Sequence, residues 1–520
     1  MKTLEAFSHK KLIDYAIPKQ GLATGDNDRF LRFWYEVSFP KIDFKCSTVD
    51  ESVECKKKWF PCNKGGAFRR WYGNREYIVN WENNGYEIRN NFDSNGKQRS
   101  RPQNVEYYFK EGMTWSTLSN SKLSMRYSPA GSMFETKGSV CFPKNIDNLK
   151  YLLGFMNTKV AMEMLQFLSP TIDYHEGPIG RVPIIFSVQN EPKITKLVTE
   201  LIQACTEDWN NFETSWDFNH HPFITGAKSI NDVFQLWEGN CEHRFNLLKE
   251  KEENLNKIFI DIYSLQTELS PEVEDNDITV RKADLSRDIR SFISYAVGCM
   301  FGRYSLDVPG LVYAGGTWDP SKYTSFPADE DAILPICDDE YFEDDIVGLF
   351  INFVEKVYGK ETLEENLQFI ADALGGKGTS RKIIRNYFIN GFYADHVKVY
   401  QKRPIYWLFD SGKKNGFKCL IYLHRYKPDT IARIRTDYIH EQQSRYRTAI
   451  EDLNQRINGT TASDKVKLGK KLTQVQEQAE ELRIYEEKIH HLADQMIEID
   501  LDDGVKVNYA KFEDVLAKIK

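Results

Sequence analysis

A short run near the front of the chain carries the residue types that bind flat, negatively charged ligands. Residues 64–85, KGGAFRRWYGNREYIVNWENNG, combine Lys64 and three arginines with two tryptophans, two tyrosines and four glycines. Arginine makes paired hydrogen bonds to guanine edges, and asparagine or glutamine pairs in the same way with adenine. Aromatic rings stack on bases, and glycine lets the main chain approach a ligand closely. The chemistry that this run indicates is binding to a polyanion.

The basic and polar character continues to residue 130. Residues 41–130 hold 16 Lys and Arg against 10 Asp and Glu, whereas residues 261–345 hold 6 against 19. A chain with a net charge of −7 can therefore bind a polyanion with its front part while the whole stays acidic. The candidate DNA-binding residues are Lys64, Arg69, Arg70, Arg75, Asn83, Asn84, Arg89, Arg99, Arg101, Thr114, Trp115, Ser116 and Arg126, with Ser119 and Ser128 as further polar candidates.

A purely structural role for the same run is an equally open alternative on composition. Trp71 and Trp81 would then lie in the core of a β-rich domain, and the arginines would form surface ion pairs.

Motifs that could support catalysis are weak. The run LGGKGTSRK, residues 374–382, lacks the spacing of a phosphate-binding loop, and a helix C-cap followed by a turn explains it better. Asp43, Glu54 and Lys56 resemble a nuclease carboxylate pattern, but their stretch shows no strand periodicity. The histidine pairs at 220–221 and 490–491 lack further ligands at metal-like spacing.

Motifs of amino-methyltransferases are also missing. The chain has no Pro-Pro pair, so it has no Asn-Pro-Pro-Tyr loop of the kind that accepts hydrogen bonds from a flipped-out base amine. No strand-like run ends in a Gly-x-Gly turn with a following acidic residue that could hold S-adenosylmethionine. We therefore predict no catalytic residue, no metal site and no cofactor in this chain.

The bulk properties are those of a water-soluble, multidomain protein. The chain has 520 residues, of which 41% are hydrophobic and 28% charged. It has no run of 18 apolar residues and no secretory signal, which predicts no membrane contact. Nine cysteines without a Cys-x-x-Cys pair predict reduced thiols and a cytoplasmic location.

The patterning predicts an α+β fold in which a β-rich front domain with packed helices precedes mostly helical regions. The predicted segments are 1–190, a helical spacer at 191–285, a mixed region with an acidic loop at 286–430, an antiparallel helical hairpin of coiled-coil type at 431–500 and a tail helix at 501–520. Strands are predicted at 77–81 and 139–142, one helix at 148–168 and a β-hairpin at 406–424.

Four separated blocks resemble the target-recognition domain of fused adenine-specific DNA methyltransferases. They are GLATGDNDRFLRFWYEV, GAFRRWYGNREYIVNWENNGYEIR, YFKEGMTWSTLS and the pair LLGFMNTK and LSPTIDYHEGPIGRVPI. The downstream runs YFINGFYADHVKVYQKRPIYWLFDSGKKNGFKCLIYLHRY and DLDDGVKVNYAKFEDVLAKIK extend the resemblance to the PglX family of BREX phage-defence systems. The family carries its methyltransferase domain before these blocks, so this chain is expected to be the C-terminal, recognition half of such an enzyme, either as an expressed fragment or as a split subunit.

The resemblance implies that residues 1–190 recognise a short site in double-stranded DNA, and that the parent enzyme methylates an adenine there with S-adenosylmethionine. The implied partners are duplex DNA, the methyltransferase domain or subunit, and other BREX proteins. This chain alone is expected not to be catalytic. Two alternatives stay open: a scaffold that docks other defence components through the hairpin and the acidic residues 329–345, and the specificity subunit of a restriction-modification enzyme.

Overall fold

The computed structural model describes residues 5–118, 122–169, 173–459 and 461–520. The described residues form two compact units. The first comprises the residues up to Trp34, together with Phe39–Asp217 and Trp237–Ala283. The second comprises Tyr35–Ser38, Phe218–Leu236 and Asp284–Lys520. Each unit combines helices with small sheets, so the predicted α+β class is confirmed.

Two four-stranded sheets form the β part of the first unit. The strands are β1 (Ala16–Lys19), β2 (Leu31–Phe33), β3 (Trp59–Asn63), β4 (Tyr77–Asn80), β5 (Gly112–Trp115), β6 (Met125–Ser128), β7 (Met133–Phe134) and β8 (Val140–Pro143). One sheet has the order β1-β8-β5-β6 and is antiparallel throughout. The other has the order β2-β4-β3-β7, with a parallel pair between β3 and β7. The strands predicted at 77–81 and 139–142 correspond to β4 and β8.

Helices pack with both sheets of the first unit. They are Leu12–Tyr15, Asn27–Phe30, Val49–Glu54, Glu82–Arg89, Leu149–Met156, Lys159–Leu168, Glu176–Gly180, Glu191–Asn210 and the part of Ile230–Ile262 that begins at Trp237. Leu152, Val198 and Phe259 belong to one apolar core, so the predicted spacer helices pack with the front segment. The domain boundaries at 190, 285, 430 and 500 stay predictions.

The prediction of a single helix at 148–168 is wrong, because the helix is interrupted at Asn157. The Asn157 side chain accepts from the Met125 N–H at 2.9 Å and donates to the Met125 carbonyl at 3.0 Å. Thr158 then caps a new helix by accepting from the Ala161 N–H. A strand contact of this kind is invisible in helical periodicity.

The second unit contains a three-stranded antiparallel sheet with the order β10-β11-β9, formed by β9 (Ile333–Pro335), β10 (Tyr406–Asp410) and β11 (Lys418–Tyr422). The predicted β-hairpin is confirmed, with Tyr406 opposite Tyr422. The helices of this unit are Leu285–Met300, Ile346–Tyr358, Leu363–Leu374, Ser380–Asn390, Phe392–Val399, Thr430–Arg433, a π-helical turn at Ile434–Ile439, His440–Asn458, Ala462–Ala493 and Gly504–Ala510.

The predicted helical hairpin is formed by His440–Asn458 and Ala462–Ala493, which pack against each other. Its stripe is buried at Leu453, Val475, Leu482 and Ile489. Glu486, the one break in the stripe, accepts from Arg435 at 2.7 Å, so the break is filled by an ion pair. Thr460 of the predicted turn lies outside the described residues. Coiled-coil geometry stays a prediction.

All nine cysteines are unpaired thiols, as predicted. Among the described residues, none of the helices combines the length and apolar character that crossing a membrane requires.

Candidate nucleic-acid interface

The Arg69-Arg70 pair lies inside the first unit. Nη1 of Arg69 is 3.4 Å from Oδ2 of Asp208. Nη1 of Arg70 donates to Oε2 of Glu252 at 2.6 Å, and its Nη2 is 4.0 Å from Asp277. Both arginines therefore form ion pairs with carboxylates of the same unit. This agrees with the structural alternative, except that the pairs lie inside the unit and not on its surface. This placement does not fit a DNA-facing role.

Three predicted residues at the end of β5 are also enclosed. The Thr114 hydroxyl donates to the Ser139 carbonyl at 3.1 Å, and the Trp115 indole N–H donates to the Tyr174 carbonyl at 2.8 Å. The Ser116 hydroxyl donates to the Gly66 carbonyl at 3.0 Å. All three are less than 9% exposed. Their polar groups hold strands and loops together, because buried polar atoms require partners.

Arg126 faces the interior opposite Thr114. Its Nη1 donates to the Arg69 carbonyl at 3.3 Å. Burial and the neighbouring Arg69 lower the pKa of Arg126 to about 10, while Glu76 acts in the other direction. Burial also raises the pKa of Glu76 to about 7, against the attraction of Arg69 and Arg126. Arg126 is 1% exposed, so it has no surface for DNA. Ser128 is buried as well, and Ser119 lies outside the described residues.

Trp71 and Trp81 are 1% and 0% exposed, as in the structural alternative that places both in the core. Two other predicted residues are partly exposed. The Lys64 ammonium lies 5.4 Å from the centre of the Tyr77 ring. The Arg75 guanidinium lies 5.6 Å from the centre of the Tyr72 ring and 5.0 Å from the centre of the Trp216 ring.

The remaining predicted residues come together in one segment, residues 81–101, which we call the basic loop. The helix Glu82–Arg89 in this segment is interrupted near its start by three consecutive left-handed residues, Asn83, Asn84 and Gly85, with φ of 50°, 58° and 68°. Asparagine and glycine tolerate this conformation, usually as single residues. A Cβ atom on Gly85 would lie 2.5 Å from a ring carbon of Trp81, so this position requires glycine.

Arg89 holds the left-handed turn in place. Its Nε donates to the Asn84 carbonyl at 2.8 Å, and its guanidinium lies 5.2 Å from the centre of the Trp81 ring. The exposed side chains of Asn83 and Asn84 are therefore presented from a rigid backbone.

Hydrogen bonds close the second half of the basic loop. The buried Asn91 side chain donates to the Ser100 hydroxyl at 2.8 Å, and Ser100 donates to the Thr24 carbonyl. The Arg99 N–H donates to the Asn91 carbonyl at 2.8 Å. Asp93 accepts from the N–H of Lys97 at 2.9 Å, which fixes the turn at the tip. These hydrogen bonds fix the conformation of the loop at the surface of the unit.

The outward face of the basic loop is cationic. Lys97, Arg99 and Arg101 are exposed, and they have no ion-pair partner among the described residues. The nearby carboxylate Glu87 is already engaged, since it pairs with Arg29 at 2.9 Å and accepts from Asn80. Exposed cations on a rigid loop are suited to contact phosphate oxygens.

Sequence reasoning missed two residues of this surface, Tyr86 and Phe92, which are 64% and 50% exposed. It also missed Asp208 and Glu252, which neutralise Arg69 and Arg70. The Asn-Asn-Gly run is a turn signal that could have located the loop, but nothing in a single sequence indicates carboxylates more than 100 residues away that fold onto the arginines.

The weak catalytic motifs have structural explanations in the described residues. The helix Leu363–Leu374 ends at Gly375 with φ of 76°, so the C-cap prediction for LGGKGTSRK is confirmed. Asp43 accepts from the N–H groups of Lys45 and Cys46 in a turn.

One carboxylate cluster, formed by Asp329, Asp331 and Asp344 in the second unit, has the spacing of a cation site. Its oxygens are already engaged, because the Tyr438 hydroxyl lies 3.0 Å from Asp331 and 2.6 Å from Asp344. Burial and the neighbouring Asp331 raise the pKa of Asp329 well above its ordinary value, which favours the neutral form of this carboxyl. Part of the predicted acidic docking loop is therefore bonded within its own unit, as is Asp345, which pairs with Arg385 at 2.8 Å. Glu330, Asp339, Glu340 and Glu343 of the same segment are exposed.

Comparison with known proteins gives a long match. No known protein-family model matches the chain. The chain is 44% identical over 517 residues to the adenine-specific methyltransferase PglX of Lacticaseibacillus casei (strain Zhang), with 97% of this chain covered. It is 38% identical to the adenine-specific methyltransferase BrxX of Escherichia coli O9:H4 (strain HS), with 96% of this chain covered. The chain spans 43% of the length of each relative. The predicted resemblance is confirmed.

Proposed function

We propose that this PglX-like chain is the DNA-recognition portion of an adenine-specific DNA methyltransferase of BREX type. The observation that carries the proposal is the similarity along 97% of the chain to a named adenine-specific methyltransferase. Such an enzyme must hold duplex DNA in one register while it acts on one base. The basic loop, with three exposed cations and two exposed asparagines, supplies contacts to both phosphates and base edges.

Catalysis belongs to a different portion of the parent enzyme in this proposal. Both relatives contain more than half of their length outside the match, which is room for the S-adenosylmethionine site and the amine-binding loop. Consistent with this division, the sequence of this chain has no Pro-Pro pair. The parent protein would act in the cytoplasm, where it would mark host DNA and distinguish it from phage DNA.

The structure narrows the proposed DNA contacts. We retain the exposed or partly exposed residues Lys64, Arg75, Asn83, Asn84, Arg89, Arg99 and Arg101, and we add Lys97. We leave out Arg69, Arg70, Thr114, Trp115, Ser116 and Arg126, because their side chains are enclosed and bonded within the unit.

The proposal is tested by titrating the full chain into a short fluorescein-labelled duplex at low salt and following anisotropy. We expect binding that weakens steeply with salt, because each phosphate contact adds about −0.9 to the slope of log K against log salt. Bovine serum albumin is the control for nonspecific signal. Anisotropy no higher than with this control would contradict the proposal.

A further inference from the structure

The basic loop carries two aromatic side chains that point into solvent. Tyr86 is 64% exposed and Phe92 is 50% exposed. In the described part of the first unit, Phe167 is the one other phenylalanine, tyrosine or tryptophan exposed to this degree, at 56%. Two of three such rings therefore lie within one loop of 21 residues, next to its exposed cations. Single exposed apolar residues are common, but two large exposed rings in one short loop with exposed cations indicate a binding surface.

Both aromatic residues are anchored through their backbone, although their rings are exposed. The Tyr86 carbonyl accepts from the N–H of Asn90 at 3.1 Å and from its side-chain amide at 2.8 Å. Phe92 follows the buried Asn91 and pairs with Gln98 in an isolated antiparallel bridge. A ring on a fixed backbone loses little freedom on binding, which favours its use as a contact residue.

The surroundings of the rings select the class of partner. Lys97, Arg99 and Arg101 are exposed cations on the same loop, and Asn83 and Asn84 present amide groups. A protein partner with an apolar patch would have to bury these charges, which is unfavourable. DNA satisfies all three chemistries, since phosphates neutralise the cations, base edges bond the amides and base faces cover the rings.

We propose that Tyr86 and Phe92 stack on bases of the target duplex at a locally opened base step. The inference rests on the proposed function, and it adds a stacking role that phosphate and edge contacts do not supply. Proteins that insert apolar side chains between base steps unstack and bend the duplex, which lets more protein surface contact it. The unstacking energy is lowest at a mismatched base pair.

The first test compares a fully paired duplex with the same duplex carrying a central mismatch, both titrated with the full chain. The wild type should bind the mismatched duplex more tightly. Phe92→Ala and Tyr86→Ala should each weaken mismatch binding by roughly 5- to 150-fold, the range for losing one base–aromatic stack, and should reduce the mismatch preference. Phe167→Ala, which removes an equally exposed ring elsewhere, should leave both affinities unchanged.

The second test separates stacking from apolar area. Phe92→Leu keeps a large apolar side chain without a flat ring and should behave like Phe92→Ala, whereas Phe92→Tyr should retain the wild-type preference. Photo-crosslinking to a duplex with 5-iodouracil at the mismatch should label the peptide that contains Tyr86 and Phe92. The inference is overturned if the wild type binds DNA and both alanine variants keep its affinity. It is also overturned if the crosslinks lie elsewhere in the chain. Absence of any DNA binding would instead contradict the proposed function.

Discussion

At the scale of single residues, the conformation of the basic loop depends on Gly85, which packs closely against the ring of Trp81. Gly85 is the third residue of a left-handed run, and its Cα faces the Trp81 ring. Trp81 in turn is fully buried and packs edge-on against Tyr108 at 5.3 Å between ring centres. The loop conformation is therefore connected to the core of the unit through one ring.

Gly85→Ala should lower the free energy of unfolding by about 1–3 kcal/mol, because the new methyl group both strains a positive φ and overlaps the Trp81 ring. The matched control is Gly96→Ala. Gly96 has φ of 76° but no atom within 4 Å of its would-be Cβ, so only the backbone strain remains. Denaturant titration of both variants measures the difference, and equal losses would show that the ring overlap is relieved.

Arg70→Ala should destabilise the chain by about 3–5 kcal/mol, because it leaves Glu252 buried and without its cation. Arg99→Ala removes an exposed cation and should stay within about 0.5 kcal/mol of the wild type. Chemical denaturation measures the free energy of unfolding of both variants. If Arg70→Ala proved as mild as Arg99→Ala while DNA binding fell, Arg70 would be a DNA contact after all.

At the scale of elements, the second unit buries neutral histidines. His396, on the helix Phe392–Val399, is 3% exposed, and its Nε2 accepts from the N–H groups of Ile405 and Tyr406 at 3.1 and 3.0 Å. Burial and the neighbouring Arg303 lower the pKa of His396 to about 3. The histidine thus joins the helix to the start of β10 only while it is unprotonated.

This histidine predicts a pH dependence with a definite sign. The folded pKa lies below the unfolded value of 6.5, so the contribution of His396 is complete above pH 6.5 and is lost as pH falls toward about 3. Between about pH 7.5 and about pH 5, the stability difference between the wild type and His396→Gln should shrink by about 2 kcal/mol. Denaturant titrations at both pH values measure it, with the exposed His491→Gln as the control variant. A difference that does not change with pH would contradict a buried neutral imidazole.

The apolar stripe of the helical hairpin is buried more deeply in its middle than near the connecting turn. Leu482 is fully buried in the core of the second unit, whereas Leu468 is only partly buried nearer the connecting turn. Leu482→Ala should cost about 2–5 kcal/mol of stability, and Leu468→Ala clearly less. Thermal unfolding compares the two variants. Equal losses would mean that the hairpin is packed along its entire length.

At the scale of the whole molecule, periodicity predicted the elements better than composition predicted the surface. The β-hairpin and the two long C-terminal helices follow from local patterns, and they are observed. The split at Asn157 does not follow, because it depends on a bond to a strand 32 residues earlier.

The candidate interface was predictable only where its residues are close to one another in the sequence. Asn83, Asn84, Arg89, Arg99 and Arg101 lie in one loop because they are close in sequence. Arg69 and Arg70 are equally basic, but their charges are neutralised by Asp208 and Glu252, which lie 139 and 182 residues away in the chain. A surplus of basic residues in a sequence window therefore overstates the basic surface that the fold presents.

The most direct test of the central claim is the salt dependence of DNA binding by a loop variant. Lys97→Ala/Arg99→Ala/Arg101→Ala should reduce the magnitude of the log K against log salt slope by about 0.9 for each phosphate that the variant no longer neutralises. Lys465→Ala/Lys467→Ala/Lys470→Ala removes three exposed cations from the hairpin and should leave the slope unchanged. A loop variant with the wild-type slope, or a hairpin variant with the reduced one, would contradict the account.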